Sequence, residues 1–230
     1  MVGMIAPADC LELASVTEDA FRSGLRRLAA GVCVVTATHR DHYSGLTATS
    51  VMSVSLRPPI VAVSLNQSSD TVQAVENTSA FVISILSRKQ QAVGRRFAID
   101  GLPNKLDAVP HLIGLTRIPI LRDSHAALEC VAIGKYLVGD HCLYLGRVVS
   151  VVTRPGTEPL VYHLASYGSW APGEPTEVAA YDACVTEETL SVGEVASMTT
   201  GGMPSGSYSG GGSIPKLSAS LTKRLNRAAT

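Results

Sequence analysis

Between Gly45 and Leu65 the chain reads Gly-Leu-Thr-Ala-Thr-Ser-Val-Met-Ser-Val-Ser-Leu-Arg-Pro-Pro-Ile-Val-Ala-Val-Ser-Leu, with no charge before Arg57. Its polar positions include Thr47, Thr49, Ser53 and Ser55. Short hydroxyls and small neighbours let a flat ligand come close to the backbone and offer it O–H and N–H donors. That chemistry suits a planar, polar ring system bearing carbonyls and ring nitrogens. The same residues also describe a two-faced strand of an all-β domain, and composition alone leaves both readings open.

Three further groups carry chemistry. Ser68-Ser69-Asp70-Thr71 sits where a strand gives way to a helix. A helix N-terminus presents free N–H groups and a partial positive charge, which suits an anion, and Ser69 and Thr71 add hydroxyls. Plain helix capping explains the same residues, and Asp70 opposes an anion unless it points away. Arg88, Lys89, Arg95 and Arg96 lie on the next helical stretch, where a solvated face is the ordinary reading and an anion contact from Arg95 or Arg96 the alternative. His141 follows Gly139-Asp140; an imidazole titrates near neutrality and can donate a hydrogen bond to a ligand. His111, His125 and His163 have no comparable context.

The elements that must hold these groups are mostly strands. Thr17 to Ala30 reads as a helix, capped by Thr17, acidic at its start in Glu18 and Asp19, stopped by Gly31, with Phe21, Gly24, Leu25 and Leu28 as its buried stripe. Val32–Ala37 is a strand, 40–43 a polar turn, and Leu46–Leu56 a long strand or bent pair. Pro58-Pro59 interrupts the ladder before a strand over Ile60–Leu65. Asp70 with Gln73 gives a capping-box start to a helix over Thr71–Glu76. Phe81–Leu86 is a strand, Ser87 with Gln90 opens a helix to about Ala98, and Ile99–Leu112 is a loop. Ala127–Val138 and Cys142–Val152 flank Gly139-Asp140, a hairpin signal. Leu160–Leu164 is a last strand. Many strands with few long helices favour a barrel over a parallel βαβ sheet, and no G-x-G-x-x-G follows a strand.

Bulk composition narrows the classes. The 230 residues balance 19 basic against 19 acidic side chains. Zero net charge provides no field for nucleic acid or an anionic membrane. No apolar run approaches the roughly 20 residues that span a bilayer, and no secretory leader pattern opens the chain. Five cysteines, without a C-x-x-C pair, indicate neither a disulfide frame nor a zinc knuckle, and fit a reducing cytoplasm. From Ala171 the composition shifts to acidic residues, a Gly/Ser-rich run over Gly201–Ser213 and a basic end. That stretch reads as a flexible tail, with Leu217–Leu225 as a short basic partner-docking helix in the alternative.

Several segments, in order, resemble the flavin reductase-like family of small FMN-binding split barrels. They are Phe21-Arg22, Gly31-Val32, Val34-Val35-Thr36, Gly45-Leu46-Thr47-Ala48, Ser53 to Pro59, Leu128-Glu129-Cys130 and Gly139-Asp140-His141. The resemblance implies a mainly β, Greek-key split β-barrel with a few short helices over residues 17–170, flanked by an extension at 1–16 and the tail at 171–230. It implies a homodimeric NAD(P)H-dependent flavin reductase that uses FMN or FAD and NADH or NADPH and supplies reduced flavin to a partner monooxygenase. A flavin-binding barrel without turnover, and an oxidase or monooxygenase acting on a specialised organic substrate, are the alternatives. Carried over residue by residue, it assigns flavin contacts to Thr47, Ala48, Thr49, Ser50, Ser53, Val54 and Ser55. The ribityl chain falls to Ser64, Leu65 and Asn66, and the phosphate to Ser69, Thr71 and Arg96. Tyr167 closes the pocket, and His141 stands on the nicotinamide side as the catalytic residue. The chain departs from the family pattern at Arg122-Asp123-Ser124-His125, a bulkier and charged pocket edge that motivates the non-turnover alternative.

Overall fold

The computed structural model describes residues 15–39 and 42–171. The turn residues Arg40 and Asp41, most of the expected N-terminal extension and the expected tail from residue 172, with Leu217–Leu225, lie outside the described residues.

The chain forms α1 (Glu18–Leu25), β1 (Ala30–Gly31), β2 (Cys33–His39), β3 (His42–Ala48), β4 (Val51–Leu56), β5 (Pro59–Asn66), α2 (Asp70–Thr78) and β6 (Ala80–Ile85). A single 3-10 turn, Arg88–Gln90, then leads into α3 (Gln91–Phe97). It continues through β7 (His111–Ile113), β8 (Pro119–Leu121), β9 (Ala126–Val138), β10 (His141–Thr153), β11 (Leu160–His163) and β12 (Ser166–Ser169).

Seven strands make the main sheet, in the order β3-β2-β6-β9-β10-β5-β4. Every pairing in it is antiparallel. The strands at its two edges, β3 and β4, are consecutive in sequence and joined by only Thr49 and Ser50. A sheet whose opposite edges are tied by so short a link must curl until those edges meet. They meet without pairing, so the result is a barrel split between β3 and β4. Strands β5 and β6, also consecutive, are separated by β9 and β10, the out-of-sequence neighbouring of Greek-key connectivity.

The interior is aliphatic. Val35, Ala37, Val63, Leu65, Phe81, Ile83, Cys130 and Tyr144 pack with Val72 and Val75 of α2 in one cluster. A second cluster outside the sheet joins Val32, Val34 and Leu86 to Phe97, Leu106 and Leu160. On β2 every residue from Cys33 to Ala37, Thr36 included, is buried, as for a strand covered on both faces. Glu129 is buried on β9, where its Oε2 accepts from the Thr116 N–H and hydroxyl at 2.9 Å each, tying the link between β7 and β8 to the sheet.

Several expectations need correction. The first helix keeps its Thr17 cap but ends at Leu25, because the backbone of Ala30 and Gly31 pairs with β11. Its apolar stripe is not buried: Phe21, Leu25 and Leu28 are all exposed. Helix α2 is capped by Ser69, whose Oγ accepts from the Val72 N–H, and not by Asp70. The loop expected over Ile99–Leu112 ends in β7, and the hairpin β7–β8 and strand β12 were not foreseen. Elsewhere the reading holds. Leu46–Leu56 is a bent pair, the Gly139-Asp140 hairpin forms, and Gln90 Oε1 accepts from the Ser87 N–H at 3.0 Å.

Candidate functional site

The split holds a cleft of about 700 Å³. It is lined by β3 and the bend after it, the end of β5, the start of α2, the start of β10 and the loop after α3.

Local chemistry shapes each wall. The bend residues Thr49 and Ser50 fall outside both neighbouring ladders, whose registers stop at Ala48 and resume at Val51. Two hydroxyls staple this region: Thr47 Oγ1 donates to the Gly94 carbonyl at 2.7 Å, and Ser50 Oγ donates to the Ser64 carbonyl at 2.6 Å. Gly45 lets α3 approach β3, since a Cβ there would lie 2.7 Å from the Phe97 ring and 3.2 Å from the Val35 carbonyl. At the helix start, Asn66 Oδ1 accepts from the Ser68 N–H and hydroxyl, while Ser69 Oγ donates to the Asn66 carbonyl. The Ser69 hydroxyl is therefore engaged by the cap on both sides, and the anion-binding capacity of this corner rests on backbone N–H groups of the first turn.

His141 opens β10 directly opposite Asn66. Its Nδ1 lies 2.7 Å from Asp140 Oδ1, and because an ionised carboxylate only accepts, Nδ1 carries the proton and Nε2 is left for a ligand. That hydrogen bond holds the Asp140 carboxyl below its ordinary value.

The cation of the cleft is Lys105. Its Nζ donates to the Gly45 and Phe97 carbonyls at 3.3 and 3.2 Å. Burial lowers its pKa, and Asp100 and Asp70, which line the same cleft, oppose that lowering.

Of the residues singled out from sequence, Thr47, Ala48, Thr49, Ser50, Ser64, Leu65, Asn66, Ser69, Thr71 and His141 all line this cleft. Ser53, Val54 and Ser55 do not; they lie further along β4, where Ser55 Oγ accepts from the Arg57 N–H. Nor does Arg96, whose guanidinium donates to the Lys105 and Asn104 carbonyls and so fastens the outer wall. Tyr167 packs on Tyr162, with ring centroids 5.2 Å apart, beside the Arg95 guanidinium. The Arg122–His125 segment is also elsewhere: Arg122 exchanges hydrogen bonds with Pro110 and Gln90, and Asp123 pairs with Arg154. It therefore leaves the cleft unobstructed, which removes the steric ground for a barrel that binds without turning over. Sequence reasoning missed Lys105 and the wall around it, because that stretch has neither periodicity nor a motif to mark it.

A family described as Flavin reductase like domain matches residues 25–171. The chain is 34% identical over 151 residues to an NADH-dependent FMN reductase of Streptomyces nodosus subsp. asukaensis, covering 64% of this chain and 82% of that protein. It is 33% identical to the reductase component of 4-hydroxyphenylacetate 3-monooxygenase of Thermus thermophilus, covering 65% of this chain and 95% of that protein. Among solved structures, the NADH:FAD oxidoreductase of Streptomyces globisporus superposes with a TM-score of 0.64 at 28% identity, covering 71% of this chain and 100% of that one.

Proposed function

The chain belongs to the flavin reductase-like family, and from that premise we propose that it is an NADH-dependent flavin reductase that passes reduced FMN or FAD to a partner monooxygenase. The carrying observation is the cleft at the split, whose size lies within the range of small-molecule sites. The bend residues Thr49 and Ser50, His141, Lys105 and the first turn of α2 all line it. Flavin, when bound, supplies the hydride acceptor for the nicotinamide.

The chain's own residues bind and orient. The N–H groups of Thr49 and Ser50, which fall outside both ladders, suit a pyrimidine edge, where they would stabilise negative charge that grows on reduction. Asn66 and Ser64 flank the connecting chain. Lys105 and the first turn of α2 take the phosphate. His141, oriented by Asp140, donates to or accepts from the nicotinamide side through Nε2. Asp70 and Asp100 disfavour an added 2′-phosphate in this cleft, which supports NADH over NADPH.

Exposed apolar side chains support a homodimer. Phe21 on α1 and Leu28 just after it are 57% and 67% exposed, and Met52 and Leu56 on the edge strand β4 are 58% and 84% exposed. Exposed large apolar side chains of this kind suit a subunit contact, and sedimentation at micromolar concentration reads the mass directly. No helix among the described residues is long and apolar enough to cross a membrane. The free buried thiols Cys33, Cys130 and Cys142 support a reducing, cytoplasmic setting.

The deciding measurement is loss of NADH absorbance in the presence of FMN, FAD or riboflavin. Turnover with at least one of them is expected, and none with any flavin and either nicotinamide nucleotide sinks the reading.

A further inference from the structure

Helix α2 brings Asp70 and Thr71 of its first turn to the cleft, and β10 brings His141. Backbone bonds hold the helix at its two ends. The Gln67 N–H donates to the Asp140 carbonyl at 3.1 Å before it, and the Ala132 N–H donates to the Ser79 carbonyl at 2.9 Å after it. Between those ends Val72 and Val75 pack into the barrel interior with Leu65, Cys142 and Tyr144. Apolar packing is non-directional, so it resists separation more than it resists a roll of the helix about its own axis.

One charged contact acts on that roll. Lys135 Nζ donates to Glu76 Oε1, and among the described residues no other hydrogen bond joins Asp70–Thr78 to the β9–β10 hairpin. The two side chains are 28% and 42% exposed, so water screens the pair only in part. The hydrogen bond to Glu76 raises the Lys135 pKa, which keeps the lysine charged. Tyr144, directly across from Lys135, buries a hydroxyl that has no partner among the described residues, so it adds no second tie. Lys135 sits three strand steps from the level of His141, or about 10 Å. Glu76 lies six helical steps from Asp70, about 9 Å along the axis and about 120° around it. Pinning Glu76 therefore fixes the direction in which Asp70 leaves the helix. Asp70 is the carboxylate that opposes an anion at this corner, close enough to Lys105 to act on its charge.

We propose that Lys135 and Glu76 are positioning residues for the flavin phosphate: their ion pair sets the roll of α2, which turns Asp70 away from the phosphate and holds the first-turn N–H groups at a fixed spacing from His141. Neither residue lines the cleft, yet together they make it favour a phosphorylated flavin over riboflavin. The proposal rests on the reading that the first turn of α2 takes that phosphate. A through-space field alone gives a different forecast. Loss of the Lys135 charge would then weaken an anion, and loss of the Glu76 charge would strengthen it.

Dissociation constants for FMN and riboflavin are measured on the full chain, on Lys135→Met, on Glu76→Gln, and on the exchanged pair Lys135→Glu with Glu76→Lys. Melting temperature is read on the same preparations. Both single variants are expected to weaken FMN by about threefold to fivefold, the range of a partly exposed ion pair, and to leave riboflavin within about twofold. The exchanged pair is expected to regain most of the lost FMN affinity. Opposite shifts, with FMN weaker in Lys135→Met and tighter in Glu76→Gln, reduce the pair to a distant field and overturn the positioning role. Equal losses for FMN and riboflavin with a lower melting temperature make it a fastener of the fold only. Unchanged FMN affinity in both single variants overturns the proposal and leaves the flavin reading standing. An unmodified chain that binds neither flavin takes down that reading itself, and the proposal with it.

Discussion

Two places in this molecule pose the same local problem and solve it oppositely. At Gly139-Asp140 and at Thr49-Ser50, two residues join a pair of consecutive strands. The first pair, β9 and β10, is hydrogen-bonded along strands of 13 residues each. The second pair, β3 and β4, ends up on opposite edges of the sheet. The difference begins in backbone freedom. Gly139 sits at φ 59°, as a tight two-residue hairpin requires. Thr49 is β-branched, resists positive φ, and is absent from the residues that adopt it. The chain bends there without reversing into a ladder, each strand takes another partner, and a binding cleft opens where a seam would otherwise close. A site can therefore be created by withholding a turn residue.

The sealed side should show the larger stability effects. Phe81 is fully buried against Tyr144, and Phe81→Ala is expected to cost about 4 kcal/mol, read as a lower urea midpoint with an unchanged slope. Gly139→Val forces a β-branched residue into the left-handed region and is expected to cost about 2 kcal/mol by the same assay. If the hairpin tolerates valine without loss, the contrast between the two turns fails at its root.

The open side should show effects on ligands more than on stability. Lys105→Met is expected to weaken FMN by about tenfold, an amount typical of one charged hydrogen bond, while riboflavin, which lacks the phosphate, is unmoved. The same pair of ligands gives the pH test. Lys105 is charged below its pKa, so FMN affinity fades as pH rises through that value. Because burial lowers the pKa, fading begins at a lower pH than for an ordinary lysine. Equal loss for riboflavin would make Lys105 a wall fastener only. Smallest is His141→Ala, expected to leave melting temperature and flavin affinity nearly intact while turnover falls several-fold, for about 1 kcal/mol. A variant that loses stability and flavin together, with turnover per bound flavin kept, would make His141 a structural residue.

Legibility in the sequence followed the range of the forces involved. The Gly139-Asp140 hairpin, the Ser87–Gln90 cap and the bent pair around Thr49 depend on residues a few positions apart, and each was readable. The cleft lining between Thr47 and Thr71, with His141, was largely readable too, because it lies on one contiguous stretch plus one motif histidine. Lys105 was not, since its importance comes from meeting Gly45, 60 residues earlier. Arg96 and Tyr167 show the complementary error. Their residue types suit a phosphate and a ring, but only the orientation of α3 and the pairing of β12 decide that they face other partners. Periodicity found α1's apolar stripe correctly and still misjudged it, because a pattern shows that a face is apolar and not what covers it.

The staples on Thr47, Ser50 and Ser69 have a kinetic consequence. Their hydroxyls already hold carbonyl partners within the protein, so a departing ligand strands none of them. A pocket whose donors were unmet when empty would cling to its occupant and release it slowly. Here these side chains add no such penalty on emptying, which shortens the residence time without loosening the walls. A carrier that must be loaded, changed chemically and surrendered in each cycle needs such a dispenser, firm in shape and quick to let go.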